Sequence, residues 1–189
     1  MTSRLVRLAI AAAGVAALAI SFASATRSAH YPKAPEFPSQ DPRDWIGTPQ
    51  SLKGLRGRVV ILDVWTFGCI NCVRTIPWVR EMDKRFGARG LTIVGVHTPE
   101  FAEERVRANV EAAIRERGLG AHSHFLDIHS NYWRALQNEY WPALYVLDKE
   151  GRIRDLMVGE VHIDDERDKA SVRLVEKLLA EPEPASTAK

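Results

Sequence analysis

Short apolar runs alternate with amphipathic stretches along most of the chain, and this pattern predicts an α/β fold. Residues 59–65 (VVILDVW) and 91–97 (LTIVGVH) are apolar runs rich in β-branched residues, typical of strands buried on both faces. Each run is followed by a stretch with apolar residues at helical spacing, over residues 70–86 and 101–117. The first half of the chain therefore predicts two consecutive strand–helix units.

The remaining pattern adds a hairpin and a final helix. Residues 143–147 and 153–158 predict two antiparallel strands joined by the turn sequence DKEG. Residues 165–179 predict the last helix, and weaker patterns indicate a short strand at 124–127 and a short helix at 132–139. The order β-α-β-α-β-α-β-β-α predicts a three-layer α/β/α sandwich around a mixed central sheet.

The N-terminal segment has the pattern of an export signal. Arg4 and Arg7 precede an uncharged apolar run, and the small residues 23–25 offer a site for signal peptidase. The uncharged stretch that follows Arg7 and ends at Ala25 has 18 residues, close to the minimum for a helix that spans a bilayer. Residues 1–25 are therefore expected to be a signal peptide or an uncleaved membrane anchor. In both cases the folded part is expected in the periplasm or another extracytoplasmic compartment.

Composition divides the rest of the chain. Residues 26–44 hold four prolines among polar residues and predict a linker, and residues 181–189 predict a flexible polar tail. One domain is expected between them, over residues 45–180. Without Arg4 and Arg7 of the leader, 24 basic residues face 24 acidic ones, so the net charge gives no reason to expect a nucleic-acid partner.

The two cysteines of the chain, Cys69 and Cys72, suit redox chemistry better than a structural role. A disulfide between them closes almost no loop, so it removes little entropy from the unfolded chain. The C-x-x-C spacing places Cys69 at the N-terminus of the helix predicted at 70–86, where unpaired N–H groups and the helix dipole stabilise a thiolate. Cys72, one turn further on, is then the thiol that resolves a mixed disulfide. We expect this chemistry to need no cofactor.

The segment around the cysteines resembles the active site of thioredoxin-fold proteins. Trp65 lies four residues before Cys69 and Asp63 lies six before it, as the tryptophan and the buried aspartate of that family do. Pro77 matches the proline that kinks the active-site helix of the family. The resemblance implies the thioredoxin fold and a thiol:disulfide oxidoreductase.

Within that fold, the chain is similar to the exported TlpA/ResA/DipZ-like (redoxin) branch. The stretches WTFGCINCVRTIPWV and YWPALYVLDKEGRI carry the resemblance, and Trp141-Pro142 in the second matches the cis-proline loop of the family. Residues 98–127 would be the helix–strand insertion of that branch, and Glu100 falls where its members have a glutamate near the cysteines. The resemblance implies disulfide-containing protein substrates and a membrane electron donor of the CcdA/DsbD type. Apocytochrome c, as in cytochrome c maturation, an oxidised periplasmic cysteine protein and a copper-centre assembly factor are all compatible substrates.

Asp63 and Glu100, which match acidic residues of the family, are expected to take part in proton transfer. Asp63, in a buried strand, is expected to have a raised pKa and to accept the proton that Cys72 must lose. Glu100 is a second candidate for that proton. Two carboxylates near the sulfurs disfavour the thiolate form of the pair, so a reductant of protein disulfides is expected.

Aromatic residues are expected to surround Cys69. Trp65, Phe67 and Trp141 would form an apolar rim that binds substrate, with core packing as the alternative for Trp65. The backbone of Trp141, before Pro142, would pair with an extended segment of the substrate. No second apolar face is evident from the sequence, so a monomer is expected.

Two other functions stay open at this point. Thr66 and Cys69 fit the T-x-x-C part of the peroxiredoxin pattern, although Leu62 stands where that pattern has proline, so a thiol peroxidase is one alternative. Copper-chaperone binding, with His97 or His129 joining the cysteines, is the other. The spacing of a zinc site is absent, and no resident metal is expected.

Overall fold

The computed structural model of the protein describes residues 31–184, so the leader expected at 1–25 lies outside the described residues. Short 3-10 turns occur at Pro42–Asp44, Gly87–Arg89 and Ala102–Arg105. The strands and helices, in chain order, are β1 Trp45–Ile46, β2 Val59–Trp65, α1 Ile70–Phe86, β3 Leu91–His97, α2 Arg107–Glu116, β4 Ser123–Leu126, α3 Asn131–Ala135, β5 Ala143–Leu147, β6 Ile153–Val158 and α4 Glu166–Ala180. The predicted order of elements is confirmed, with β1 as an addition.

The strands form one mixed sheet in the order β1-β4-β3-β2-β5-β6. β2 is parallel to β3, and β3 is parallel to β4. β5 is antiparallel to both β2 and β6, and β1 is antiparallel to β4. The first strand that was predicted, β2, therefore lies inside the sheet between β3 and β5.

Both faces of this sheet are covered, which confirms the three-layer arrangement. Every residue of β2 is buried, and successive side chains point to opposite faces. The helices α1, α2 and α4 cover the face that carries Ile61 and Trp65. The helix α3 and apolar residues of the segment 37–55 cover the face that carries Leu62 and Val64.

The insertion between β3 and the cis-proline region is present but begins with a turn. The helix predicted at 101–117 is shorter than expected, since a 3-10 turn occupies Ala102–Arg105 and Val106 is extended (φ −85°, ψ 110°). The strand β4 of the insertion extends the sheet beside β3. Within residues 31–184, no helix combines the length and the apolar character that crossing a membrane requires.

The described part of the expected linker, residues 31–44, packs against the domain instead of standing apart from it. Phe37 is buried among aromatic residues of the core. The carboxylate of Glu36 accepts hydrogen bonds from the backbone N–H groups at positions 52 and 53, at 2.6 and 2.9 Å. The hydroxyl of Tyr132 donates to the carbonyl oxygen of Pro35 at 2.8 Å. These residues, which composition assigned to a linker, therefore pack against the domain, with Phe37 buried in its core.

The first residues of the expected tail also contact the domain. Glu181 accepts a hydrogen bond from Arg154 at 2.9 Å, and Glu183 accepts one from Lys149 at 2.7 Å. Residues 185–189 lie outside the described part of the chain.

Candidate active site

The junction of β2 and α1 places the two cysteines at one end of the sheet. Cys69 is the N-cap of α1 (φ −76°, ψ 113°), and its Sγ accepts a hydrogen bond from the backbone N–H of Cys72 at 3.4 Å. Both cysteines are free thiols. Cys69 is half-buried, whereas Cys72 is only 2% exposed. A large substrate can therefore reach the sulfur of Cys69 and not that of Cys72.

The environment of Cys72 keeps it protonated. Burial raises the pKa of the Cys72 thiol strongly, and its hydrogen bond with Cys69 raises the pKa further. The negative charge of Asp63 acts in the same direction. Cys72 therefore needs a nearby base before it can attack a disulfide.

Asp63 lies beneath the cysteines on β2, as predicted. It is paired in register with Gly95 of β3 and Leu144 of β5, and it is 5% exposed. Burial raises the pKa of the Asp63 carboxyl to about 7. Near neutral pH the carboxyl therefore changes between its protonated and its ionised form.

The second carboxylate of the site belongs to Glu104 and not to Glu100. Glu100 is exposed, and only its backbone N–H points inward, where it donates to Glu104 Oε2 at 2.6 Å. Glu104 is fully buried, and its Oε1 accepts the backbone N–H of Gly68, the residue before Cys69, at 2.8 Å. The turn at Ala102–Arg105 directs Glu104 inward, which the pattern of charges along the sequence did not reveal.

Two buried polar side chains extend from Glu104 toward the sheet. Thr66 Oγ1 lies 3.3 Å from Nε2 of His97, and the Thr66 hydroxyl contributes to lowering the pKa of Glu104. Thr66 and His97 are both fully buried. Burial lowers the pKa of His97 to about 4, so its imidazole is neutral at physiological pH.

The expected aromatic rim is formed only in part. Trp65 is 2% exposed and packs edge-on against His97, with ring centroids 5.4 Å apart, so it is packed in the core. Phe67 is half-buried and stacks on His97. Trp141 is also half-buried, with its ring 4.2 Å from that of Trp133.

Three exposed apolar side chains at this end of the sheet were not predicted. Ile70 follows Cys69 directly, and Phe101 lies beside Gly68. Tyr140 precedes the Trp141-Pro142 pair. Ile70 is 58% exposed, Phe101 is 51% exposed and Tyr140 is 57% exposed. Because they lie next to Cys69, Gly68 and Trp141, the sequence could have identified them as apolar residues near the site.

The loop before β5 has the conformation that the resemblance implied. The Trp141-Pro142 peptide bond is cis, and Pro142 is buried. The indole of Trp141 donates to the carbonyl oxygen of Thr98 at 3.1 Å, which fixes the ring. Within the described chain, no backbone partner pairs with the N–H or the C=O of Trp141.

Of the two histidines considered as copper ligands, His97 is buried and His129 is exposed. His122 and His124 are buried as well. The described residues contain no group of three or more His, Cys, Asp or Glu side chains arranged to hold a metal ion.

The packing of His124 leads to the first prediction. A Cβ added to Gly95 would overlap Nδ1 of the His124 ring and lie 2.7 Å from Cε1 and 3.0 Å from Cγ. The ring cannot move away easily, because it is buried and bonded through Nε2 to the carbonyl oxygen of Leu119 at 3.1 Å. We expect Gly95→Ala to lower the free energy of unfolding by about 3 kcal/mol, measured by urea denaturation. Gly120→Ala, where an added Cβ meets nothing within 4 Å, is the control; an equal effect of both variants would contradict the packing described.

Comparisons with known proteins agree with this geometry. Residues 31–156 match the family model of the AhpC/TSA family. Protein DipZ of Mycobacterium tuberculosis is 40% identical over 122 residues, which are 61% of this chain and 17% of DipZ, so the chain spans about a sixth of that curated relative. Thiol-disulfide oxidoreductase YkuV of Bacillus subtilis is 26% identical over 116 residues, covering 61% of this chain and 77% of YkuV. The crystal structure of the thioredoxin-like superfamily protein SPOA0173 superimposes with a TM-score of 0.70 at 25% identity, over 80% of this chain and 99% of that one. The fold is therefore thioredoxin-like.

Proposed function

The chain belongs to the AhpC/TSA family, and from this premise we propose that it is an exported thiol:disulfide oxidoreductase that reduces disulfides in other proteins. One observation carries the proposal. A half-exposed Cys69 caps α1, and a buried Cys72 donates its backbone N–H to the Cys69 sulfur. This arrangement separates an accessible nucleophile from a protected resolving thiol.

The proposed reaction has two exchange steps. The Cys69 thiolate attacks one sulfur of the substrate disulfide, which forms a mixed disulfide and releases the other substrate sulfur as a thiolate. Cys72 then gives its proton to the Asp63 carboxylate and attacks Cys69 Sγ. The second substrate thiolate leaves and is protonated, and a Cys69–Cys72 disulfide remains. Asp63 passes the proton from Cys72 to this departing thiolate, and the proton that Cys69 released on forming its thiolate goes to the other substrate sulfur. Relative to the dithiol form, the chain has then lost two electrons and two protons, which a membrane electron donor of the CcdA/DsbD type would restore.

The surface around Cys69 supports binding of an extended protein segment. The unpaired N–H and C=O of Trp141, next to the cis peptide to Pro142, offer main-chain hydrogen bonds of the kind that β-augmentation uses. The exposed side chains of Ile70, Phe101 and Tyr140 offer apolar contacts beside them. We therefore include Phe67, Trp141 and Pro142 in the substrate site and leave out Trp65.

The direction of electron flow is proposed from charge. Asp63 places a carboxyl group close to Cys72, and negative charge there destabilises the thiolate of the reduced pair. The disulfide form is favoured, so the reduced pair is a good reductant. Export to the periplasm, action as a monomer, and substrates such as those of cytochrome c maturation complete the proposal.

The proposed function is tested by turnover of a protein disulfide. With dithiothreitol as the electron source, we expect the protein to accelerate insulin reduction, and hydrogen peroxide to be consumed no faster than by free thiols. The hydroxyl of Thr66 is buried and paired with Nε2 of His97, so it is not free to contact a peroxide. Rapid peroxide consumption without insulin reduction would favour the thiol peroxidase alternative, and stoichiometric copper binding would favour the metal-chaperone alternative.

A further inference from the structure

Glu104 brings together backbone groups from two loops that flank the cysteines. Its Oε1 accepts the N–H of Gly68 at 2.8 Å, and its Oε2 accepts the N–H groups of Glu100 and Phe101 at 2.6 and 2.9 Å. The loop between β2 and α1 is thereby tied to the loop that follows β3. Because Gly68 precedes Cys69 directly, this carboxylate fixes the backbone from which the nucleophile extends.

The groups that bond to Glu104 leave its negative charge in place. Burial alone would raise the pKa of Glu104, but the hydrogen bonds from backbone N–H groups and the Thr66 hydroxyl lower it below its usual value. Its hydrogen-bond donors are three backbone N–H groups, and His97, 3.3 Å from Thr66 Oγ1, is a neutral imidazole. Arg117 donates to the carbonyl oxygen of Phe67 at 2.9 Å.

Gly68 and Glu104 fit each other sterically. A Cβ on Gly68 would overlap Glu104 Oε1 and lie 3.6 Å from Cδ2 of Phe101. A glycine at this position therefore lets the carboxylate approach the backbone just before Cys69. A larger residue at position 68 would keep the N–H but push the Glu104 carboxylate away from it.

We propose that Glu104 is a positioning residue that fixes the loop before Cys69 and shifts the Cys69–Cys72 pair toward its disulfide form. Its charge lies one residue from Cys69, where it repels the thiolate that forms on reduction. The inference rests on the proposed function, because it concerns the redox equilibrium of the same pair.

The test is the thiol–disulfide equilibrium of the purified protein with a glutathione buffer at fixed pH. We expect Glu104→Gln to shift this equilibrium about tenfold toward the dithiol, which corresponds to a reduction potential about 30 mV more positive. Gly68→Ala keeps the Glu104 carboxylate but pushes it away from the backbone at position 68. We therefore expect a smaller shift toward the dithiol. Glu103→Gln removes a charge from an exposed neighbouring side chain and should stay within twofold of the unmodified protein.

The outcomes separate failure of the role proposed for Glu104 from failure of the proposed function. An equilibrium of folded Glu104→Gln within twofold of the unmodified protein would overturn the proposal, and so would an equal shift in Glu103→Gln. If near-UV circular dichroism shows that Glu104→Gln does not fold, Gly68→Ala decides alone, and an unchanged equilibrium refutes the role of Glu104. Failure of the unmodified protein to exchange its cysteines with glutathione would refute the proposed function instead.

Discussion

Replacing Cys69 with serine is expected to reduce disulfide reductase activity to the background rate, whereas replacing Cys72 with serine should stop the reaction at the mixed disulfide. The reason is the difference in burial, since a substrate can reach Cys69 and only Cys72 is placed to release it. Insulin turnover measures the first effect. The second is measured as a covalent adduct between Cys72→Ser and a model disulfide protein on a non-reducing gel, or by intact mass.

The two variants are matched controls for each other, because each removes one sulfur from the same turn of α1. The adduct should form with Cys72→Ser and be absent with Cys69→Ser. Full activity of Cys72→Ser through many turnovers would contradict a mechanism that uses both cysteines.

Replacing Asp63 with asparagine is expected to slow the resolution of the mixed disulfide about a hundredfold, because Cys72 loses its proton acceptor. In the unmodified protein, the resolution rate should rise as the pH passes about 7, where the Asp63 carboxyl with its raised pKa becomes the carboxylate. In Asp63→Asn this rise should be absent. Stopped-flow measurement of the release step between pH 5.5 and 8.5 gives both results, with Asp155→Asn on the exposed side of β6 as the control.

The same variant should be more stable than the unmodified protein at pH 8. Burial raises the pKa of Asp63 from 3.8 to about 7 on folding, so the folded state binds the proton more tightly than the unfolded state. The stabilisation from this proton is complete below about pH 4 and is lost as the pH rises through about 7, which amounts to about 4 kcal/mol. Urea denaturation should show that loss in the unmodified protein and a flatter profile in Asp63→Asn. Lower activity together with higher stability would identify Asp63 as a buried base, and matching pH profiles would contradict that role.

The elements around the site could be predicted because burial determines their sequences. The strands β2 and β3 and the helix α1 occupy the predicted residues, since a strand buried on both faces needs a continuous apolar run. Cys69 at the N-cap of α1 and Asp63 beneath it follow from the same boundaries.

The errors concern residues whose side-chain direction depends on a turn or on distant contacts. Glu100 and Glu104 are both acidic and lie in the same loop, and only the 3-10 turn between them determines which one is buried. Trp65 shares a face of β2 with Asp63, and the helices that cover this face bury it. The segment 31–44 has the composition of a linker, but it packs through Phe37, one apolar residue among many polar ones.

The equilibrium reduction potential of the Cys69–Cys72 pair is the direct test of whether the reduced pair donates electrons to disulfides in other proteins. It is measured by equilibrating the purified protein with dithiothreitol or glutathione buffers and quantifying the fraction of disulfide. We expect a potential near that of thioredoxin, about −270 mV, as for a reductant with buried carboxylates beside its thiols. A value near that of the strongly oxidising DsbA, about −120 mV, would contradict it, because the pair would then form disulfides in other proteins instead of reducing them.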